Sequence, residues 1–126
     1  MKTVILKLDS KIAKIFQWPE FNKAPKILEE KHVEHHSHLK SDETHFVVNK
    51  FFHEVAKSLE EPEEILLLGN HANNAEFKHH LQNHHHEKIF KKIVGTETIN
   101  SHVSDGEILK QAGIFFESYR TFTKNY

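Results

Sequence analysis

The sequence contains no cysteine, no long apolar run and almost no net charge, and each absence excludes a class of protein. Without cysteine there is no disulfide, no thiolate nucleophile and no zinc site built on thiolates. No stretch approaches the roughly 18 consecutive apolar residues that a membrane-spanning helix needs, so we expect no membrane partner. A net charge of −1 provides no overall field that attracts nucleic acid, and we expect no DNA partner.

The opening MKTVILKLDSK interrupts its apolar residues with Lys7 and Asp9, and no small-residue cleavage site follows. This pattern is not that of a secretory signal, so we expect a cytoplasmic protein. The 126 residues suffice for one hydrophobic core. Because no linker or internal repeat divides them, a single domain over residues 1–126 is expected.

Histidine is the residue in excess, with thirteen copies, about a tenth of the chain. They are internal and dispersed, unlike a terminal tag. One group lies in HVEHHSH and another in KHHLQNHHH. Since imidazole titrates near pH ~6.5, the net charge should become strongly positive on mild acidification.

Apolar periodicity predicts five strands. Two alternating strands in KTVILKLDSKIAKIFQW are joined by a turn at Asp9 and Ser10, and Pro19 ends the second. A third strand, KILEEKHV, follows Pro25, and the segment EHHSHLKSDE is an exposed loop. The continuous apolar run in EEILLLG is typical of a strand buried on both faces, and KKIVGTET is the fifth strand.

Three helices complete the pattern. The first, in DETHFVVNKFFHEVAKSL, has one apolar stripe, made of Val48, Phe51, Phe52, Val55 and Leu59. The second runs from about Asn74 to His85, with Phe77 and Leu81 inward. The third follows a capping box in which Ser104 accepts from the backbone and Glu107 reaches back. Its inner face comprises Ile108, Ala112, Phe115, Phe116 and Tyr119.

The element order is therefore β-β-β-α-β-α-β-α. Three leading strands fit an antiparallel meander, and the strands that alternate with helices should be parallel with right-handed crossovers. This order predicts an α/β, ribonuclease H-like fold, with a mixed five-stranded sheet and helices on its faces.

The segments FFHEVAKSL, EEILLLGN, EFKHHL, KKIVGTET and SDGEIL, after a histidine-rich loop, resemble the bacterial "translational machinery" proteins. These are single-domain relatives of the middle domain of eukaryotic and archaeal peptide-chain release factors and Pelota, and are related to the "host attachment protein" group. The resemblance extends over nearly the whole chain and is most specific from Glu64 to Val94. It implies a ribonuclease H-like fold and a connection with the ribosome, ribosomal RNA or tRNA.

Two departures bear on activity. The release factors place Gly-Gly-Gln on the loop after the third strand, whereas EHHSHLKSDETH contains neither glycine nor glutamine. Relatives read Gly-Pro-Gly and then lysine after the fourth strand, whereas this chain has Gly69, Asn70 and His71, with Asn74 in place of the lysine. Peptide release is therefore not implied, and we expect no enzyme.

Two chemistries remain open at the turn after the fourth strand. The segment from Gly69 to Asn74 can present backbone N–H groups at a helix N-terminus, where they bind a phosphate or another anion. Alternatively, Gly69 permits a tight turn and Asn73 or Asn74 caps the helix. No G-x-x-x-x-G-K-[ST] phosphate loop is present.

Magnesium-dependent nuclease chemistry would need clustered carboxylates. The candidates are Asp9, Glu54 and Asp105, and structural roles account for all three: Asp9 lies at a hairpin turn and Asp105 in a capping box.

The leading hypothesis is a non-catalytic, ribosome- or RNA-associated accessory factor of translation without a cofactor. Its candidate contact residues are Lys31, His35, His36, His38, Lys40, Gly69, Asn70, Asn74 and Lys78.

The alternative is a histidine-rich protein that binds zinc or nickel. His80 and His84 are one helical turn apart, the spacing of two ligands on one face. The candidate ligands are His32, His35, His36, His38, His80 and His84.

Overall fold

The computed structural model describes residues 3–9, 12–18, 26–29, 50–100 and 102–124, with only the backbone described for 26–29 and 121–124. The predicted loop EHHSHLKSDE and Val48 lie outside these residues. The strands are β1 (Thr3–Leu8), β2 (Ala13–Trp18), β3 (Lys26–Glu29), β4 (Glu64–Gly69) and β5 (Ile93–Thr98). The helices are α1 (described over 50–57), α2 (His71–Asn83), α3 (Glu87–Phe90) and α4 (Asp105–Lys124).

The strands form one mixed sheet in the order β3-β2-β1-β4-β5. Strand β1 is antiparallel to β2 and parallel to β4, and β4 is parallel to β5. The predicted α/β class with a mixed sheet is confirmed. The main part of the sheet consists of the four six-residue strands β2, β1, β4 and β5. Strand β3 contributes only four residues at the edge, and its pairing with β2 shifts register between Ile15 and Gln17.

Strand β1 is buried on both faces along its whole length. Even Lys7, the one charged residue of β1, is only 8% exposed. The reason is its central position between β2 and β4. The turn after β1 is of the predicted kind: the Asp9 carboxylate accepts from the backbone N–H of Ile12 at 2.7 Å, and the Asp9 N–H donates to the Ile12 carbonyl at 3.1 Å.

The sheet separates two hydrophobic cores. Helices α1 and α2 cover one face, where Phe52, Phe77 and Leu81 pack with Leu6 and Leu67. In the chain, α1 lies between β3 and β4, and α2 lies between β4 and β5. Two crossovers of one hand in one direction place their helices on the same face.

Helix α4 covers the opposite face, where Ile108, Ala112 and Phe116 pack with Leu66 and Leu68. The inward positions predicted for α4 are confirmed, with Phe115 and Tyr119 only partly buried. The serine half of the predicted capping box is confirmed, because the Ser104 hydroxyl accepts from the N–H of Glu107 at 3.2 Å.

The predicted start of α2 is wrong. The helix begins at His71, and its N-cap is Asn70, whose side chain accepts from the N–H of Asn73 at 2.7 Å. Asn70 has extended backbone angles (φ −72°, ψ 162°), as an N-cap requires. Helix α2 ends at Asn83 instead of His85, and the short helix α3 was not predicted. Within the described residues, no helix has the length and apolar character to cross a membrane.

Candidate functional site

The two candidate regions of the sequence lie at opposite ends of helix α2. The first is the turn where β4 meets the helix. A Cβ added to Gly69 would lie 2.5 Å from the carbonyl oxygen of Leu8 and 2.5 Å from the side-chain oxygen of Asn74. Glycine is needed here because the backbone of β1 and the Asn74 amide approach closely, and not because of a positive φ angle.

Asn74 is 4% exposed and connects two strands. Its side-chain nitrogen donates to the carbonyl of Gly69 at 3.0 Å and to the carbonyl of Glu97 at 3.1 Å. The amide thereby fixes the carboxyl end of β4 to that of β5. Gly69 and Asn74 were both predicted to contact RNA. Both residues are buried, so neither is accessible to a partner.

What this turn does expose is the first residues of α2. Asn70 and His71 are exposed, and Lys78 is half-buried two turns further along the helix. The N–H groups of Asn73 and Asn74 already donate to Asn70. The other N–H groups of the first turn and the positive end of the helix dipole favour an anion at this position. The other predicted RNA contacts lie outside the described residues: Lys31, His35, His36, His38 and Lys40.

The second region is a group of imidazoles at the C-terminal end of α2, here called the histidine cluster: His53, His80, His84 and His86. The rings of His80 and His84 stack with centroids 4.4 Å apart, and those of His80 and His86 are 5.8 Å apart. His53, from α1, places its Nδ1 atom 3.1 Å from Nε2 of His86.

His80 lies at the centre of the cluster and is 5% exposed. The ring of Phe52 contacts it edge-on, with centroids 5.5 Å apart, and neither imidazole nitrogen has a hydrogen-bond partner. Burial, and next the nearby imidazoles of His84, His86 and His53, lower the pKa of His80 to about 4. His80 is therefore neutral at neutral pH.

The backbone after α2 fixes the position of His86. The N–H of His86 donates to the carbonyl of Leu81 at 3.1 Å, and His85 has φ 64°. A left-handed residue followed by this bond is the Schellman ending of a helix. Burial lowers the pKa of His86 as well, with further lowering by His53 and His84 and an opposing effect of Glu60.

The sequence identified part of this cluster. His80 and His84 were predicted as a ligand pair and do lie together, whereas His32, His35, His36 and His38 lie outside the described residues. His53 was missed because it is isolated in sequence, and His86 because its position depends on the turn after α2. No local signal marks His53, because it joins the group only through the packing of α1 beside α2. In the described part of the chain, no three ligating side chains converge as a formed metal site.

The three carboxylates considered for nuclease chemistry are dispersed. Asp9 closes the β1–β2 turn, and the Asp105 carboxylate lies 3.5 Å from the amine of Lys14. Glu54 is exposed on α1, which covers the face of the sheet opposite to α4.

No protein-family model matches the sequence. No curated protein matches it either. Among solved structures, the chain is similar to Pelota from Archaeoglobus fulgidus, known from a crystal structure that reveals inter-domain structural plasticity. The TM-score is 0.61 with 20% sequence identity, over 99% of this chain and 36% of the Pelota chain. This chain therefore spans about a third of the Pelota length, and at this identity the likeness establishes the fold.

Proposed function

We propose that the chain is a cytoplasmic, ribonuclease H-like domain that associates with the ribosome or its RNA as a non-catalytic accessory factor of translation. The observation that carries this proposal is the structural likeness to one part of Pelota, which includes 99% of this chain. The sequence resemblance to release-factor middle domains and to the bacterial "translational machinery" proteins points to the same class of function.

A non-catalytic role is supported by the residues that the sequence lacks. None of the four glycines is adjacent to another, so there is no Gly-Gly-Gln tripeptide. The carboxylates of Asp9 and Asp105 are engaged in a turn and an ion pair, and Glu54 is on the other face from Asp105. We therefore expect neither peptide release nor magnesium-dependent RNA cleavage.

The anion-attracting part of the described surface is the N-terminal end of α2, with exposed His71 and half-buried Lys78. Nearby phosphates would be bound by backbone N–H groups and by the lysine ammonium. This end of α2 is one contact surface, and the buried Gly69 and Asn74 maintain the turn.

Sedimentation of the protein with purified ribosomes across a salt series tests the proposal. We expect co-sedimentation that weakens steadily as salt rises, because contacts with phosphate release counterions. Protein that remains unbound at every salt concentration would rule out the ribosome as partner.

A charge-reversal pair locates the contact. Lys78→Glu on α2 should weaken binding and reduce the salt dependence by about one phosphate contact. Lys110→Glu, the same substitution at an exposed position of α4 on the opposite face, is the matched control and should bind as the wild type does. Equal losses in both variants would indicate nonspecific charge attraction instead of a contact at α2.

A further inference from the structure

Strand β5 lies at one edge of the sheet, and among the described residues no strand pairs with its outer side. The residues Ile93 to Glu97 are half-buried and Thr98 is exposed, whereas the central strand β1 is buried throughout. An edge strand presents a row of N–H and C=O groups with which another strand can pair.

The sequence of β5 lacks the features that usually protect an edge strand, such as lysine, proline or short length. IVGTET contains neither lysine nor proline, and its one carboxylate, Glu97, accepts from the side-chain amide of Gln111 at 2.7 Å. The opposite edge strand, β3, has only the four residues KILE, half of them charged. The register of β5 against β4 shifts between Ile65 and Leu66, but six consecutive residues of β5 remain extended. Strand β5 is therefore the edge better suited to pairing.

Apolar side chains beside β5 are incompletely covered on both faces of the sheet. Phe90 and Ile93 are only partly buried at the border of the core beneath α1 and α2. Val94 is likewise partly buried at the border of the core beneath α4. A neighbour paired with β5 would remove more of this apolar surface from water, which is favourable.

Helix α4 extends the apolar surface beside β5. Its contacts with β5 are the bond from Gln111 to Glu97 and the ring of Phe115, which occupies the space where Gly95 has no side chain. Ile114 lies between these two positions in the helix and is 63% exposed, the one large apolar side chain exposed in the described part of the chain.

We propose that β5 pairs with the β5 strand of a second copy of this chain. The two strands run antiparallel about a two-fold axis between Val94 and Gly95, so that the two sheets become one continuous sheet. In such an interface the same surface occurs on both copies and must complement itself.

The direction of the backbone groups in β5 can be derived from its bonds with β4. The carbonyl of Lys92 accepts from the N–H of Ile65, and the N–H of Ile99 donates to the carbonyl of Gly69. The backbone groups of Lys92 and Ile99 therefore face β4. Because this direction alternates along a strand, the groups of the residues directly after Lys92 and directly before Ile99 face outward.

These outward groups fit the proposed axis. Alternation makes Ile93, Thr96 and Thr98 the outward-facing residues of β5. With the axis between Val94 and Gly95, Ile93 of each copy lies opposite Thr96 of the other. Two outward-facing residues in this position exchange both backbone hydrogen bonds in an antiparallel pair.

The charges of β5 are complementary to those of a second copy. Lys91 and Lys92 directly precede the strand, Glu97 lies near its end, and the residues between them are uncharged. Antiparallel pairing of β5 with itself places the lysine end of each strand opposite the carboxylate end of the other. Opposite charges on facing strands stabilise the pair, and like charges destabilise it.

Sedimentation velocity of the full chain over a wide range of concentrations tests the proposal. We expect a reversible equilibrium in which the monomer is replaced by a dimer as concentration rises. Thr96→Pro removes an outward-facing N–H and should weaken the dimer at least tenfold, because the two-fold axis doubles the loss. Thr96→Val keeps the N–H group and is the matched control, which should dimerise as the wild type does.

A charge exchange separates the interface from damage to the fold. Glu97→Lys places lysine at both ends of β5, and Lys91→Glu, at an exposed position, places a carboxylate at both ends. Each variant alone should be mainly monomeric, whereas a one-to-one mixture of the two should form dimers, because the charges at both ends are then opposite.

Three results would overturn the proposal. The first is a wild-type protein that stays monomeric at every concentration. The second is a dimer that Thr96→Pro, Glu97→Lys and Lys91→Glu leave unchanged, because it would use another surface. The third is a mixture of the two charge variants that stays monomeric although urea unfolding shows both to be folded.

Discussion

Both ends of helix α2 bury polar side chains, but the hydrogen bonds of these side chains differ. At the N-terminal end, the Asn70 side chain caps the helix and the Asn74 amide nitrogen donates to two carbonyls, although the Asn74 side-chain oxygen has no partner. At the C-terminal end, His80 is equally buried and neither of its nitrogens has a partner.

The two residues therefore contribute to the fold in different ways. Asn74 stabilises the fold because both of its N–H donors are used within the chain. His80 contributes packing against Phe52 and no hydrogen bond, so its polar atoms cost free energy unless something else binds them.

The largest expected loss of stability comes from truncation of Phe52, an aromatic side chain that contacts two residues of α2. Phe52 lies edge-on to Phe77, with centroids 5.4 Å apart, and to His80. Phe52→Ala should lower the free energy of unfolding by about 3–5 kcal/mol, because the cavity cannot refill. Urea unfolding measures this, and a loss below about half a kcal/mol would show that α1 does not pack on this face.

The second prediction concerns stability at the N-terminal end of α2. Asn74→Ala should cost about 1–3 kcal/mol, because it removes two hydrogen bonds, one to the part-buried carbonyl of Glu97 and one to the carbonyl of Gly69, which keeps the N–H of Ile99 as a donor. Asn83→Ala, on the exposed surface of the same helix, is the matched control and should change stability by less than ~0.5 kcal/mol. Equal losses for the two variants would mean that the Asn74 amide does not connect β4 and β5.

The third prediction tests the C-terminal end through pH, with a chelator present. The pKa of His80 is lowered in the folded protein to about 4 from its ordinary value of 6.5, so the unfolded chain binds the proton more tightly. Stability from this residue is therefore complete above pH 6.5 and is lost as pH falls toward 4. Between pH ~7.5 and ~5 the loss should be about 1–2 kcal/mol, after allowance for screening by solvent.

The variant His80→Leu isolates this contribution, because the imidazoles of His53, His84 and His86 and the carboxylate of Glu60 remain. Its stability at pH 7.5 should equal or exceed that of the wild type, since an unbonded polar group is replaced by an apolar one. The difference in the free energy of unfolding between His80→Leu and the wild type should grow on acidification. If the two pH profiles are parallel, His80 takes up its proton equally well in the folded and unfolded states.

The sequence predicted the strands and inner helix faces because hydrophobic periodicity determines them locally. The run EEILLLG is buried along β4, and Phe77 and Leu81 face inward, as predicted. The N-cap was misplaced because three asparagines follow Gly69 closely, and only backbone geometry decides which of them caps the helix. The same geometry buried Asn74, which the sequence assigned to the surface.

The histidine cluster was only half predictable for a different reason. His80 and His84 are one turn apart on a single helix, so their proximity follows from helical spacing. His53 joins them through the packing of α1 against α2, a tertiary contact with no local signal. His86 joins because the chain turns back sharply after α2, at a histidine where glycine is usual.

The left-handed residue after α2, His85, gives the prediction with the smallest expected effect. His85 has φ 64°, a left-handed conformation in which a side chain is crowded and glycine is not. His85→Gly should therefore raise the free energy of unfolding by about 0.5–1 kcal/mol, because relief of the crowding exceeds the greater freedom of glycine in the unfolded chain. His84→Gly, one residue earlier at φ −118°, removes an imidazole without relieving any left-handed strain and should not stabilise the protein. Urea unfolding of both variants at pH 7.5 gives the comparison. A loss of stability in His85→Gly would mean that its imidazole, and not its backbone angle, determines how α2 ends. The turn that positions His86 would then depend on side-chain contacts within the cluster.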